Sequence, residues 1–474
     1  MSASVDGVRQ DAGESAKPVE RWATTRRGRI TAGCLCALMV LWLGFKMGRV
    51  VLEGRTEVND YECFLLGGRA LLEGKDLYAA RVDVEKKKGI FRGLPWVAML
   101  MVPFALAGHT VSAFLWPLVN VAALGASSYW CLKIARGIDA PVPWPIVVVP
   151  PLLVVRALDS NFGNGQINTL MLALSSLGLY LYLRKKDVTA GLALGAAMML
   201  KVMPGLLVAY FVWKREWRVV AGALGAALFL ALVVPMPVYG VAGSGQSFRR
   251  WLDERVFPGA GTFHEGDGYV PGQSLRAISY RMLTDSQASA HDKVVYRVNV
   301  ASLSPGTAEA VYKAGAAVLA VVLAIAARGR GERDNAGRTA LELSLVMTVM
   351  LLASPYSRKA HFLLLMLPMT FAYSRLALGG RCNRLCGQGP RAGGVRSRRD
   401  RVLLAATIVC LLLTCLTSRG LVGKPVSRYL TALSCMGWGA LALLVGLLAT
   451  VGSLPRGRIK ADHGRGAEGD QTLA

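Results

Sequence analysis

Nothing constrains this chain more than the apolar runs that recur from Thr31 to Val451. "TAGCLCALMVLWLGF", "VLAVVLAIAA", "VLLAATIVCLLLTCL" and "GALALLVGLLATV" each approach the length that crosses a ~30 Å hydrocarbon core. Hydrophobic residues make up 53% of the 474 residues and charged residues only 18%, whereas a soluble domain holds about 45–50% and about 25%. The expectation is an all-α polytopic membrane protein without a sizeable soluble domain.

The formal net charge of +25 is compatible with nucleic acid, but no DNA- or RNA-binding motif accompanies it. Lys and Arg in cytoplasmic connections account for it more simply. The nine cysteines form no CxxC pair and no metal-ligand spacing, so neither a redox motif nor a zinc site is expected. "FHEGDG", with His264, Glu265 and Asp267, hints at a metal loop but lacks a second ligand cluster. No metal or other cofactor is expected.

Residues 1–29 are polar and basic at their end, and no small-residue cleavage site follows the first apolar run. They read as a disordered cytoplasmic leader before an uncleaved anchor. Residues 30–453 then form the membrane domain, and 454–474 a disordered cytoplasmic tail. "GLPWVAMLMVPFALAG", Gly93–Gly108, is marginal for a full crossing and reads as a half-inserted or interfacial helix. With that segment excluded, about twelve crossings remain and both termini lie inside. The five inside connections from "KIARG" to the Arg-rich segment before Val402 then hold twenty Lys and Arg, against seven in the four short outside ones.

This topology sends two long loops, about 52–109 and 239–307, to the extracytoplasmic face. The turns "NFGNGQIN", "KVMP" and "SPYSRKAH" join them there. In the first loop, "DYECFLLGGRALLEG" has the spacing of an amphipathic juxtamembrane helix closed by Gly74. Asp60 stands at its start, where Asp60 or Asn59 can serve as an N-cap or Asp60 as a catalytic carboxylate.

Asn161, Asn164, Gln166 and Asn168 bring amides to a helix mouth, as a plain Asn/Gly turn or as partners for sugar hydroxyls. Lys201 interrupts an apolar stretch; an intramembrane cation faces a polar cavity or an anion unless it snorkels to the interface. Arg358, Lys359 and His361 start a late helix, while Gln273 and Arg276 lie on a short helix in "PGQSLRAISYRML".

In their order, "DY…GRALLEGKDLY", "LPWVAMLMVPFALAG", "GNGQINTLMLALSSLGLYL", "AGLALGAAMMLKVMPGLLVAYFVWKREW", "GQSLRA" and "SPYSRKAHFLLLMLP" resemble a known group. It is the bacterial polyprenol-phosphate-mannose-dependent mannosyltransferases of the GT-C superfamily, which includes the phosphatidylinositol-mannoside mannosyltransferases. The likeness runs from about Asp60 to Pro368 and rests on the order of the motifs rather than on any one.

The resemblance implies a GT-C-type hexosyltransferase in the cell membrane. Its donor would be a polyprenyl-phosphate sugar, mannose first, and its acceptor a glycolipid or glycan hydroxyl on the outer face. No metal is implied. It also implies Asp60 as the base, and polar roles for Gln166, Asn168 and Lys201. In the late motif only His361 matches, because Ala360 precedes it, and "FRGLPW" departs from the Tyr-Pro-rich entry.

On this reading Asp60 takes the acceptor proton in an inverting single displacement. Lys201, Arg276 and Arg358 neutralise the departing phosphate, and Asn164, Gln166, Gln273 and His361 orient the sugar. The competing function is a transporter or flippase of a lipid-linked sugar, which would use the same cationic cleft without a base. A non-catalytic scaffold fits the composition but leaves Lys201 unexplained.

Overall fold

The computed structural model describes residues 18–54, 59–84, 87–257, 270–286, 288–289, 295–329, 335–378 and 397–454. His264, Glu265 and Asp267 lie outside them, as does the tail from residue 455. The helices that matter below are α1 (Arg26–Glu53), α2 (Asp60–Leu72), α3 (Pro95–Arg136), α4 (Val155–Phe162), α5 (Asn168–Leu183), α6 (Asp187–Leu200), α7 (Gly205–Lys214) and α8 (Trp217–Leu228). They are followed by α9 (Met236–Trp251), α10 (Leu275–Leu283), α11 (Pro305–Ala326), α12 (Ala336–Ala353), α13 (Met366–Ala377), α14 (Arg398–Cys415), α15 (Arg419–Ala432) and α16 (Cys435–Thr450). A short antiparallel ribbon, β1 (Arg81–Val84) with β2 (Lys87–Ile90), stands outside the all-α pattern.

Among the described residues six helices are long and apolar enough to cross a membrane, and three further bent pairs qualify if each is one span. α5, α6 and α7 are shorter apolar helices of 10–17 residues. The leader is helical from Pro18 onward rather than from residue 30. Glu20 there is tied to Arg136 at 2.7 Å and Ala23 is buried, so the bundle orders this part of the leader.

The marginal Gly93–Gly108 segment enters α3, whose helical run breaks at Gly108 with φ 70°. The part before the break, Pro95 to Ala107, extends about 20 Å at 1.5 Å per residue, short of the hydrocarbon thickness. It packs on α2: Gly68 lies so close that an added Cβ would stand 2.9 Å from the Met101 backbone. The amphipathic face of α2 is therefore covered by protein. Its buried stripe includes Tyr61, Leu65, Leu66 and Ala70.

Small residues set the position of α6. Gly191 faces the Val219 carbonyl and Gly222 faces that of Val188, so any side chain there would push α6 and α8 apart. Close approach through small residues is how helices gain packing energy where surrounding lipid is as apolar as the side chains. Because α6 is held this way, its C-terminal Lys201 has a fixed height in the bundle.

Alternating chain direction gathers the connections into two sets. One end of the bundle collects the end of α1, the start of α2, the 163–167 turn, the 201–204 turn, the 354–361 segment and the break between α14 and α15. The opposite end collects the α3 exit, the turns on either side of the α6–α7 hairpin, the C-terminal ends of α11 and α13, and the starts of α12 and α14.

Candidate active site

Asp60 is the first residue of α2, and the question of its role turns on its neighbour. Asn59 is the N-cap: its Oδ1 accepts the Glu62 N–H at 2.9 Å and its Nδ2 donates to the Val50 carbonyl. With capping done by Asn59, the Asp60 carboxylate is available elsewhere. It accepts a hydrogen bond from Gln166 Nε2 at 2.5 Å.

Gln166 reaches it because of Gly165. That residue has φ +64°, a left-handed conformation suited to glycine, and a Cβ on it would stand 2.6 Å from Tyr61 Cβ. The Gly165 carbonyl accepts from Trp116 Nε1 at 3.2 Å, and Trp116 is fully buried with its ring 5.8 Å from that of Tyr61. The turn is thus clamped against the first turn of α2, and an amide follows at once.

From Gln166 the chain of contacts continues. Lys201 Nζ donates to Gln166 Oε1 at 3.0 Å and lies 3.1 Å from His361 Nε2. His361 Nδ1 accepts the Arg358 backbone N–H at 2.9 Å, which leaves Nε2 as the proton-bearing nitrogen of the neutral ring. An Nε2–H facing an ammonium would be two donors opposed. A hydrogen bond between the two therefore needs the lysine as an uncharged amine.

Asn168 stands behind this row. It is fully buried, with Nδ2 donating to Asn161 Oδ1 at 3.0 Å and to Gln166 Oε1 at 3.4 Å. It holds the Gln166 side chain in place. Buried amide atoms without a protein partner remain at Asn161 Nδ2 and Asn168 Oδ1, so the wall can still bond a hydroxyl.

Four expected residues, Asp60, Gln166, Lys201 and His361, therefore meet in one row with Asn168 as support, although 301 positions separate the first and last. The rest are elsewhere. Asn164 is exposed and closes its own turn on the Ser160 carbonyl at 2.6 Å. Gln273 is fully buried, with its amide nitrogen donating to the carbonyls of Val270, Gly272 and Thr431; it ties strands of loop together. Arg276, also buried, lies over the Tyr356 ring at 6.0 Å. Arg358 is the exception: its backbone bridges Gly272 and bonds His361, and its charge stands within electrostatic reach of Lys201 and His361.

Sequence reasoning missed two clusters beside this row. Glu62 is buried and accepts from Arg69 at 2.6 Å and contacts His109 at 2.9 Å, just after the Gly108 break. The contact with His109 pins α2 to the second part of α3. Lys46, Arg156 and Asp159 form the other, where Asp159 is paired to Lys46 and, at 3.0 Å, to Arg156. A lysine near the end of the first apolar run and an Arg-x-x-Asp before the amide turn were the available signals. Among the described residues no group of three or more His, Cys, Asp and Glu is placed to hold a metal ion.

Comparison with known proteins bears on the same region. The sequence profile of Glycosyltransferase family 87 matches residues 95–355, more than half of the chain. Gln166, Asn168 and Lys201 fall within the matched part, and Asp60 and His361 just outside it. Similar curated proteins include two polyprenol-phosphate-mannose-dependent alpha-(1-2)-phosphatidylinositol mannoside mannosyltransferases. The one from Mycobacterium tuberculosis (strain ATCC 25618 / H37Rv) is 29% identical over 225 residues, covering 43% of this chain and 50% of the relative. The one from Mycolicibacterium smegmatis (strain ATCC 700084 / mc(2)155) is 26% identical over 209 residues, covering 41% and 46%. The chain thus spans about half the length of the curated relatives it matches. With the family profile covering the greater part of a helical, membrane-type bundle, the chain belongs to glycosyltransferase family 87.

Proposed function

We propose that the protein transfers a hexose, mannose first among the choices, from a polyprenyl-phosphate donor to a hydroxyl of a glycolipid or glycan acceptor. The names of the two mycobacterial relatives support the donor class and a phosphatidylinositol-mannoside type of acceptor. The site end is the extracytoplasmic face, and both termini lie in the cytoplasm. The excess of Lys and Arg in the connections of the opposite end supports that orientation.

The observation that carries the reading is the row from Asp60 through Gln166 and Lys201 to His361. It places one carboxylate at one end of a polar strip and a nitrogen pair at the other. As the acceptor oxygen bonds to the anomeric carbon, Asp60 takes the hydroxyl proton. The bond from that carbon to the phosphate oxygen breaks, and its electron pair stays on the phosphate. General-base help of this kind is worth about 10²–10⁴-fold.

Gln166 holds the Asp60 carboxylate in one orientation. An approaching phosphate favours the ammonium form of Lys201, which then leaves His361 and stabilises the developing negative charge. The freed Nε2–H of His361 is left to bond a sugar or phosphate oxygen. Stacked in this order, base and charge sink lie on opposite sides of the reacting carbon, the arrangement an inverting displacement needs.

The test is direct. The purified chain is incubated with radiolabelled polyprenyl-phosphate mannose and phosphatidylinositol-mannoside acceptors, and the products are separated. A mannosylated lipid together with free polyprenyl phosphate is the expected result. Movement of intact donor across a vesicle bilayer, with no chemistry, would establish the flippase instead.

A further inference from the structure

Beside the Asp60 row the fold holds a second polar centre that the transfer step leaves unused. Arg156, 9% exposed, donates to Asp159 at 3.0 Å, and Lys46 is paired to the other oxygen of the same carboxylate. Lys359 stands within electrostatic reach of Arg156, Asp159 and Arg419, and Arg419 within reach of Arg156. Four cations thus cluster beside one carboxylate. Among the described residues no side-chain bond is made by Lys359 or Arg419, and Arg156 Nε is buried without a partner.

Arg156 also forms part of the wall of a narrow apolar pocket between Leu153, Phe362, Leu365, Met369 and Cys410. Two broken helices frame it. The segment ending at Leu153 turns by 77° into α4, and α14 turns by 86° into α15. The first bend carries Arg156 and the second carries Arg419, so both deliver a cation to the same side. Irregular backbone at membrane depth is tolerated where it lines a cavity or is buried in protein. An alkyl-walled cavity that ends in cations has the chemistry of a site for phosphate on a long apolar chain.

We propose that this cluster is a discharge site, which receives the prenyl phosphate released by sugar transfer; the proposal rests on the transferase reading above. Charge favours that occupant over a bulk phospholipid. A phosphate monoester carries about −1.5 to −2 at neutral pH, whereas a membrane phosphodiester carries a single negative charge, and the cluster holds three more cations than carboxylates. Position favours it too. Lys359 is two residues before His361, and the turn that presents Gln166 to Asp60 begins at Asp159. Gly163 in that turn lies directly under Lys46: a Cβ there would be 2.7 Å from Lys46 Cε. The leaving phosphate therefore moves from one side of this turn to the other. Parting donor and leaving group in this way would limit the reverse reaction.

The experiment measures binding without turnover. Farnesyl phosphate is titrated into the detergent-solubilised full chain, with inorganic phosphate and dihexanoyl phosphatidylglycerol as competitors, for wild type, Arg419→Gln, Arg156→Gln and Asp60→Asn. Farnesyl phosphate is expected to bind wild type and Asp60→Asn alike, and at least tenfold more weakly to Arg419→Gln. Neither competitor should displace it at equal concentration. Arg156→Gln removes a buried partner of Asp159, so the exposed Arg419 is the deciding position should that variant fail to fold.

Unchanged affinity in Arg419→Gln overturns the proposal. So does equal competition by phosphatidylglycerol, which would make the site a general lipid contact, or by inorganic phosphate, which would show that the cavity takes no part. The two readings fail separately: absent transfer with Arg419-dependent binding removes the transferase alone, and active transfer with Arg419-independent binding removes the discharge site alone.

Discussion

The two ends of this bundle treat buried charge in opposite ways. At the end away from Asp60, Arg338 and Glu342 are buried and paired at 3.0 Å, and Lys214 reaches Glu342 at 2.8 Å. The leftover donors go to main-chain carbonyls: Lys214 bonds Ala327 and Gly329, and Arg338 bonds Val451 and Ala326. These carbonyls belong to helix C-termini, where cations are favoured. Tyr210 adds a bond to Glu342 at 2.9 Å. At the other end Lys46 and Arg156 share Asp159 with Lys359 and Arg419 clustered beside them, and Lys201 is held by an amide and an imidazole. In the Arg338–Glu342 cluster the donors are satisfied by one carboxylate and main-chain carbonyls. The other is left with charge and amide atoms for a ligand, which teaches that burial of charge is structural where partners are complete and functional where they are not.

Predictions follow from that contrast, beginning with the largest effect. Asp60→Asn should lower transfer by about 10²–10⁴-fold while the thermal unfolding midpoint stays near that of wild type, as measured by radiolabel transfer and scanning fluorimetry. A variant that kept full transfer would remove the carboxylate from the chemistry. Arg338→Met should do the reverse, since breaking one side of a buried ion pair costs about 3–5 kcal/mol of stability. Activity per folded molecule should hold, and a drop in that ratio would tie the distant end to catalysis.

Lys201→Met should lower turnover by about 10²–10³-fold, the range for loss of one preorganised electrostatic group. Lys201→Arg keeps the charge but not the fit to Gln166 and should restore only part of the rate. Asn59→Ala should cost about 1 kcal/mol through the lost helix cap, and a modest loss of transfer should accompany it as the start of α2 frays.

The smallest effect belongs to the surface. Arg250 bonds Asp76 at 2.9 Å and holds its carboxyl below the usual carboxylate range. A carboxyl with a lowered folded pKa stabilises the fold above its unfolded value of about 3.9, and that contribution is lost as pH falls through the folded value. Both side chains are more than 40% exposed, so solvent screening keeps the pair within about 0–1 kcal/mol. Asp76→Asn should shift unfolding only slightly at neutral pH, and the gap to wild type should close on acidification.

Much of the site was legible in the sequence because its residues are anomalies in apolar surroundings. Lys201 in "AAMMLKVMPG" and the amides of "NFGNGQIN" stand out since polar groups at membrane depth need a reason. Gln273 stands out in the sequence for the same cause, while in the fold its amide nitrogen donates to the carbonyls of Val270, Gly272 and Thr431, the last 158 positions away. Arg156 and Asp159 were passed over because a charged pair at a turn looks ordinary until Lys46 and Lys359 arrive beside it.

Taken alone, the sequence determined that the chain is a helical membrane bundle, since hydrophobic content and run length fix which solvent the helices meet. Which turns share an end was an expectation only, since it depended on reading Gly93–Gly108 as a segment that does not cross, which the excess of Lys and Arg favoured. Only the tertiary structure decided that Asn59 caps α2 and Asp60 does not, that Gly165 presses Gln166 onto that carboxylate, and that Lys201 meets His361. Those are contacts of a few ångströms between distant segments, set by how helices pack through Gly191, Gly222 and Trp116. Residue order carries no direct record of them.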